Sequence, residues 1–318
     1  ERFQRRFGLD QLRFANSGTE ATMYALRTAR AFTGRKAIIK IEGGYHGGYD
    51  ALQVSVKPSV AEAGPEDAPT PVTPFEVEAG TVHVVPYNDL ERLAAIFAEH
   101  GKDIACVFME PVLENIGIVV PDEGYLAGVR AQCDANGSLL VFDEVKTGLT
   151  AGYAGASQRL GVTPDLVALA KSIGGGLPLA AFGGKAEVME CITDQRMPHF
   201  GTYNGNPLVM AAAVAIDEIA THEALAAAEA LNVGAMQEME KTIERHSLPA
   251  HTVGFGVKGC VTWSSTPVRN YRDYKRTDFG AAELSWLWGV NRGVLTPPGL
   301  DEQWLVSLAH TADDMAIL

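Results

Sequence analysis

Short apolar runs alternate with helical patterns through the first two-thirds of the chain, and this alternation is the tightest constraint on its fold. Runs at 37–41, 81–85, 104–109, 138–142, 166–168 and 180–183 read as strands. Helical patterns at 20–32, 90–99, 124–136 and 207–221 alternate with them. Strands joined through helices form βαβ units, so the expected class is α/β with a mostly parallel central sheet flanked by helices. The pattern breaks after His222, where an Ala- and Glu-rich helix at 224–246 precedes strand sequence at 256–265 and a helix near 281–292. This predicts a large domain over 1–221 and a smaller C-terminal α+β domain over 222–318, a division that 318 residues can support. The chain opens at Glu1 without Met and runs straight into Arg-rich helical sequence, so an N-terminal segment is expected to precede it.

Charge narrows the partners. Lys and Arg number 26 against 39 Asp and Glu, a net charge of −13, so the basic footprint of a nucleic-acid or anionic-lipid binder is absent. Cys106, Cys133, Cys191 and Cys260 lie far apart with no CxxC pair, which fits a reducing cytoplasm better than a disulfide framework. No apolar run approaches the ~20 residues needed to cross a bilayer, and no signal peptide is visible. Residues 57–80 carry Pro58, Pro65, Pro69, Pro71 and Pro74 with little periodicity. A loop of that length is either an active-site cover or a solvated insertion.

Three segments carry chemistry. Asn16-Ser17-Gly18-Thr19-Glu20 stands just before a helix, where hydroxyls and free amides meet the positive end of the helix dipole. Taken alone it is an anion site or an ordinary helix cap. Asp143 ends an apolar strand, the place where an open α/β sheet lines its ligand crevice, though a strand-end Asp also binds Mg²⁺ or caps a helix. Lys171 closes another apolar strand and meets Gly174-Gly175-Gly176. A lysine there is either ion-paired or covalently engaged, because burial disfavours its charge. The glycine run is not a G-x-G-x-x-G fingerprint and does not argue for NAD.

Together the three meet the needs of pyridoxal 5′-phosphate (PLP): a phosphate site, a carboxylate to keep the pyridine nitrogen protonated, and a lysine to hold the aldehyde as a Schiff base. The chain resembles the class III, fold type I, PLP-dependent aminotransferases, most closely the branch containing glutamate-1-semialdehyde 2,1-aminomutase. The resemblance runs from Asn16 to His310 through NSGTEA, EGGYHG, MEPVLENIG, FDEVKTG, ALAKSIGGGLPLAAFGG, GTYNGNP, and LTPP followed by SLAHT.

Position by position, the resemblance implies that Ser17, Gly18 and Thr19 form the phosphate loop. Tyr45 stacks on the pyridine ring with Val145 on its other face, and His46 either packs beside them or contacts the cofactor. Asp143 partners the ring nitrogen and Lys171 is the Schiff-base lysine. Thr202 reaches a phosphate across a homodimer interface, and Glu110 and Asn115 lie near the cofactor O3′ and the substrate. Glu302, before SLAHT, resembles a substrate-side position of the aminomutase branch. Arg269 and Arg292 read as structural. The implied activity is transfer of an amino group from a small donor to a carbonyl acceptor, with pyridoxamine 5′-phosphate (PMP) as the intermediate form of the cofactor. The alternative is intramolecular transfer by an aminomutase. Residues 55–80 depart from the Gly/Ser-rich gating loop of that branch, and Lys146 and Thr150 replace residues of the more usual DEVMTGFR run.

Overall fold

The computed structural model describes residues 1–73, 77–78, 80–297 and 303–318. Its centre is a seven-stranded sheet of β1 (Gln11–Ala15), β2 (Ala37–Ile41), β3 (Val82–Val85), β4 (Ile104–Met109), β5 (Leu139–Asp143), β6 (Leu166–Leu169) and β7 (Ala180–Gly184), in the order β1-β7-β6-β5-β4-β2-β3. β3, β2, β4, β5 and β6 are mutually parallel. β7 runs antiparallel to both β6 and β1, so the sheet is mixed but mostly parallel.

Six of the seven strands were expected. β1 was not, because its Gln-Leu-Arg-Phe-Ala pattern is short and half-exposed at the sheet edge, where polar side chains are tolerated. By contrast β2, β4, β5, β6 and β7 are buried at every position. Burial on both faces explains their continuous apolar runs.

Helices α1 (Arg2–Phe7), α2 (Gly18–Thr33), α3 (Leu90–His100), α4 (Tyr125–Asn136), α5 (Gly155–Leu160), α6 (Ala186–Thr193) and α7 (Pro207–Ile219) accompany this sheet. α2 lies across one face, over Ile38, Phe108, Val141 and Phe182, whereas α3 and α4 cover Ile39, Val107 and Leu140 on the other. The single-residue alternation of a strand sends neighbours such as Ile38 and Ile39 to opposite cores.

From His222 the chain builds a second, antiparallel sheet of order β10-β9-β8 from β8 (His251–Phe255), β9 (Lys258–Thr262) and β10 (Trp304–Leu305). Helices α8 (His222–His246), α9 (Tyr271–Tyr274), α10 (Phe279–Val290) and α11 (Ala312–Ile317) complete it. The strand expected at 256–265 is instead the second arm of a hairpin. Gly256 adopts φ 62° at the turn, and a Cβ there would lie 2.0 Å from the Thr150 carbonyl oxygen. Asn232 of α8 fastens the turn by donating to the Gly256 and Lys258 carbonyls at 3.0 and 2.8 Å. Among the described residues no helix is long and apolar enough to cross a membrane.

Candidate active site

Parallel strands end together, and here the ends of β2, β4, β5 and β6 deliver Tyr45 and His46, Glu110, Asp143, and Lys171 to one edge of the sheet. The start of α2 brings Ser17, Gly18 and Thr19 to the same place. These residues, with Asn115 and Val145, line a cleft of about 330 Å³.

The α2 terminus opens on the cleft. Ser17 caps the helix, its hydroxyl accepting from the Glu20 amide at 3.2 Å, and the Ala21 amide donates to the Ser17 carbonyl. The Gly18 and Thr19 amides are therefore the first-turn donors left for an anion. Close packing fixes the cradle. A Cβ on Gly18 would stand 3.1 Å from Val145 Cγ1, and one on Gly47, at φ 88°, would stand 2.7 Å from Thr19 Cα. The Gly48 amide donates to Thr19 Oγ1 at 3.1 Å, and Thr22 Oγ1 donates to the His46 carbonyl at 2.6 Å. The Tyr45–Gly48 loop is thus laid directly on the helix start.

Asp143 is buried. Its Oδ1 accepts from the Val145 amide at 2.9 Å and its Oδ2 lies 2.8 Å from His46 Nδ1. Burial raises the Asp143 pKa to about 7. Burial, reinforced by Lys40, lowers that of His46 to about 3, so its imidazole is neutral and donates from Nδ1 to the carboxylate. His46 also packs edge-on to Phe108, with ring centroids 5.0 Å apart. The hydrogen bond from His46 to Asp143 is a contact that sequence reading missed. A carboxylate lifted this far by burial favours a cationic partner, which a protonated pyridine nitrogen would supply.

Lys171 opens a short 3₁₀ turn, Lys171–Gly174, after β6 and lines the cleft. It is exposed there, not buried as its place after an apolar strand predicts, because the turn carries it out of the sheet. Its φ of 51° lies in the left-handed region, costly for a side-chain-bearing residue and often found where function dictates position. Gly175 follows at φ 56°, where a Cβ would meet Ile216 of α7 at 2.8 Å.

Glu110 is buried and organises its neighbours. Oε1 accepts from the Tyr45 amide at 3.2 Å and from Asn115 Nδ2 at 2.9 Å, while Oε2 accepts from the Glu114 amide at 3.1 Å. Tyr45 itself is 44% exposed to the cleft side. Thr202 stands apart from this constellation: it is exposed, outside the cleft of its own chain, in a segment tethered to Asn16 through Asn204 (Asn16 Nδ2 to Asn204 Oδ1, 2.9 Å). Glu302 lies outside the described residues. Arg269 pairs with Asp122, and Arg292 stacks 3.6 Å from the centroid of Trp288, as structural arginines do.

The described residues of the proline-rich segment, 57–73, 77–78 and 80, do not line the cleft. Tyr271, Arg272 and Arg276 fasten part of it elsewhere. Tyr271 OH donates to the Pro58 carbonyl at 2.7 Å, Arg272 reaches the Ala63 and Gly64 carbonyls, and Arg276 pairs with Glu66. The buried Arg272 is itself held by Glu42 at 2.9 Å. This pair, the Glu114–Lys258 pair and Lys40 were all passed over in the sequence. For Lys40 the available signal was a cation inside the apolar run Ala37–Ile41.

A helix-terminus anion cradle, a buried strand-end acid and a strained strand-end lysine on this sheet define a PLP-dependent enzyme of fold type I, and the residues present fit that cofactor. The Aminotransferase class-III family pattern matches residues 1–264. Glutamate-1-semialdehyde 2,1-aminomutase of Nitratidesulfovibrio vulgaris is 40% identical over 313 residues, spanning 98% of this chain and 73% of that protein. Glutamate-1-semialdehyde 2,1-aminomutase 2 of Bacillus velezensis is 42% identical, spanning 96% and 70%. Among solved structures, an omega-transaminase from Sphaerobacter thermophilus superposes with a TM-score of 0.92 at 31% identity, covering 99% of this chain and 74% of that one. A glutamate-1-semialdehyde aminomutase from Pseudomonas aeruginosa PAO1 in complex with PMP superposes at 0.88 and 31% identity, covering 99% and 71%. The chain belongs to the class III aminotransferases.

Proposed function

We propose that this enzyme transfers an amino group between two separate small molecules, a donor and a carbonyl acceptor. When bound, PLP supplies an aldehyde that captures amines and a ring that takes up electrons released at carbon. In this reading the Ser17 hydroxyl and the Gly18 and Thr19 amides hold the phosphate, with Thr202 of a second copy completing its shell. Tyr45 and Val145 would pack on the ring, and Asn115, held by Glu110, would lie near it. Asp143, oriented by His46, keeps a proton on the ring nitrogen. Lys171 Nζ would hold the cofactor through its aldehyde and, once displaced by the substrate amine, would remove and return the substrate α-proton as general base and acid.

The observation that favours intermolecular transfer is the fastening of the 57–73 stretch to α9, away from the cleft. Intramolecular transfer depends on retaining a half-reacted molecule, which a cover over the cleft would do. Aminomutase chemistry is the second reading, favoured by the names of the relatives at 40–42% identity. A donor alone should bleach the yellow enzyme once per site, and a separate carbonyl compound should restore the colour. Conversion of glutamate 1-semialdehyde as sole substrate, with no response to other donors, would overturn intermolecular transfer in favour of the mutase.

A homodimer follows from the same reading. Phe200 and Tyr203, flanking Thr202, are 80% and 72% exposed, and α7 exposes Leu208 and Ile219, an apolar surface suited to a second copy. Residues 1–221 carry every cofactor contact in this scheme and 222–318 a second domain. The four cysteines are free and buried, in keeping with a cytoplasmic protein. A monomer that binds PLP and turns over would sink the dimer.

A further inference from the structure

Lys40 sits in the middle of β2, fully buried, on the α2 side of the sheet with Ile38. Its strand neighbours are Val84 and Phe108. A lysine in such a place is costly unless its charge has a task. Nζ donates to the Gly44 carbonyl at 2.5 Å and lies 3.4 Å from the Ile41 carbonyl. Those carbonyls bracket the turn that leads into Tyr45 and His46. Tyr271 packs so closely on Gly43 of this turn that a Cβ there would lie 2.7 Å from its ring.

The charged groups around Lys40 come from several elements. Glu110 follows β4, Asp143 ends β5, Glu42 follows β2, and His46 lies on the loop itself. Arg272 of α9 is already closed on Glu42. Among the described residues, Glu110 and Asp143 are therefore the buried acids near Lys40 that are not closed on an arginine. Asp143 also faces Lys171 and Lys146, whose charges favour its ionised form alongside that of Lys40.

We propose that Lys40 is a positioning residue for the ring-nitrogen site: it holds the turn carrying Tyr45 and His46, and its charge favours the ionised form of Asp143 that would receive a cationic ring. The inference rests on Asp143 being the ring-nitrogen partner. Burial brings the Lys40 amine down to about 7 and lifts the Asp143 carboxyl to about 7, so both ionise in the range where the enzyme would work. Each charge favours the other.

The test is PLP affinity of the apoenzyme, titrated by absorbance from about pH 5 to 9, in variants checked for fold by circular dichroism. In the parent, affinity falls as pH drops below about 7, because the proton on Asp143 must leave before a cationic ring is accepted. Lys40→Gln keeps a donor but loses the charge, and its midpoint should move up by about half a pH unit, since Lys171 and Lys146 remain. Lys40→Met should show the same shift plus a pH-independent loss of about tenfold from the untied turn. Lys40→Arg should restore the parent midpoint; should Arg be too large to fold, Gln and Met decide alone. Ionisations of PLP and Lys171 are common to all these proteins and cancel in the comparison. Weaker binding by the same factor at every pH, with the midpoint unmoved, would reduce Lys40 to a structural tie and overturn the proposal. Asp143→Asn separates the two layers: its profile should lose the parent midpoint altogether, and retention of that midpoint would sink the assignment of Asp143.

Discussion

His46 donates from Nδ1 to Asp143 Oδ2 across 2.8 Å, with both groups buried and the imidazole held neutral. Asp143 thus receives one donor from its own chain neighbour, the Val145 amide, and one from a loop 97 residues away. Those two bonds fix the plane of the carboxylate. Removing either leaves an oriented acid free to turn.

His46→Ala should accordingly weaken PLP binding and turnover by roughly 10–100-fold, the usual cost of losing a partner that orients a functional group. His46→Asn, whose amide can stand where Nδ1 stood, should recover part of that loss. Equal damage from both, measured by cofactor titration and single-turnover rates, would mean that imidazole packing on Phe108 matters and the hydrogen bond does not.

Asp143 makes the stability of the apoenzyme depend on pH. Its carboxyl is raised from 3.8 to about 7, so the folded state holds a proton that the unfolded state has lost. That contribution is fully present below about pH 4 and is lost as pH rises through 7. Relative to Asp143→Asn, the parent apoenzyme should lose stability, on the order of a few kcal/mol, between pH 4 and 7 and change little above. Denaturant titrations of both at several pH values check this. The same substitution should cut turnover on the order of 10³-fold by removing the charge opposite the ring nitrogen.

Lys171 carries a backbone penalty for its position. At φ 51° a glycine is at ease and any side chain is not. Lys171→Gly should therefore be more stable than Lys171→Ala by about 1 kcal/mol, while neither forms the covalent cofactor link. Borohydride reduction and peptide mapping should tag position 171 in the parent alone. A pyridoxyl tag elsewhere would contradict the proposed role.

Glu114 and Lys258 join the C-terminal sheet to the site loop through a buried ion pair at 2.5 Å, and Lys258 also donates to the Lys146 carbonyl at 3.1 Å. Gln303 adds donors to the Glu114 and Gly117 carbonyls at 2.7 and 3.0 Å. Lys258→Met strands a buried carboxylate and should cost about 3–5 kcal/mol in denaturant unfolding. Adding Glu114→Gln should return much of it, since the second change removes the stranded charge. Additive losses would show that the two residues are not coupled.

Much of this site could be read in advance because it hangs on strand ends. Asp143 and Lys171 each close a run of apolar residues, and Ser17 each side of a helix start announces itself by residue type. The reading failed where the signal was weak or shared. β1 and β8 are short and half-exposed, and Gly256 looked like part of a strand because nothing local shows the Thr150 carbonyl pressing on it. The proline-rich stretch reads equally as a cover or a surface insertion, and the grip of Arg272 and Tyr271 on Ala63 and Pro58 fixes its described part.

By itself the sequence determined the order of the buried central strands and the longer helices between them, and that Asp143 and Lys171 stand at strand ends, because apolar periodicity and caps act between neighbours a few positions apart. The tertiary structure alone decided that Lys40, Glu110, His46 and Asp143 share one buried region, that the acid is lifted to about 7, and that Lys171 sits at positive φ. Those properties arise from desolvation and from partners tens to hundreds of residues apart, and no local pattern encodes them.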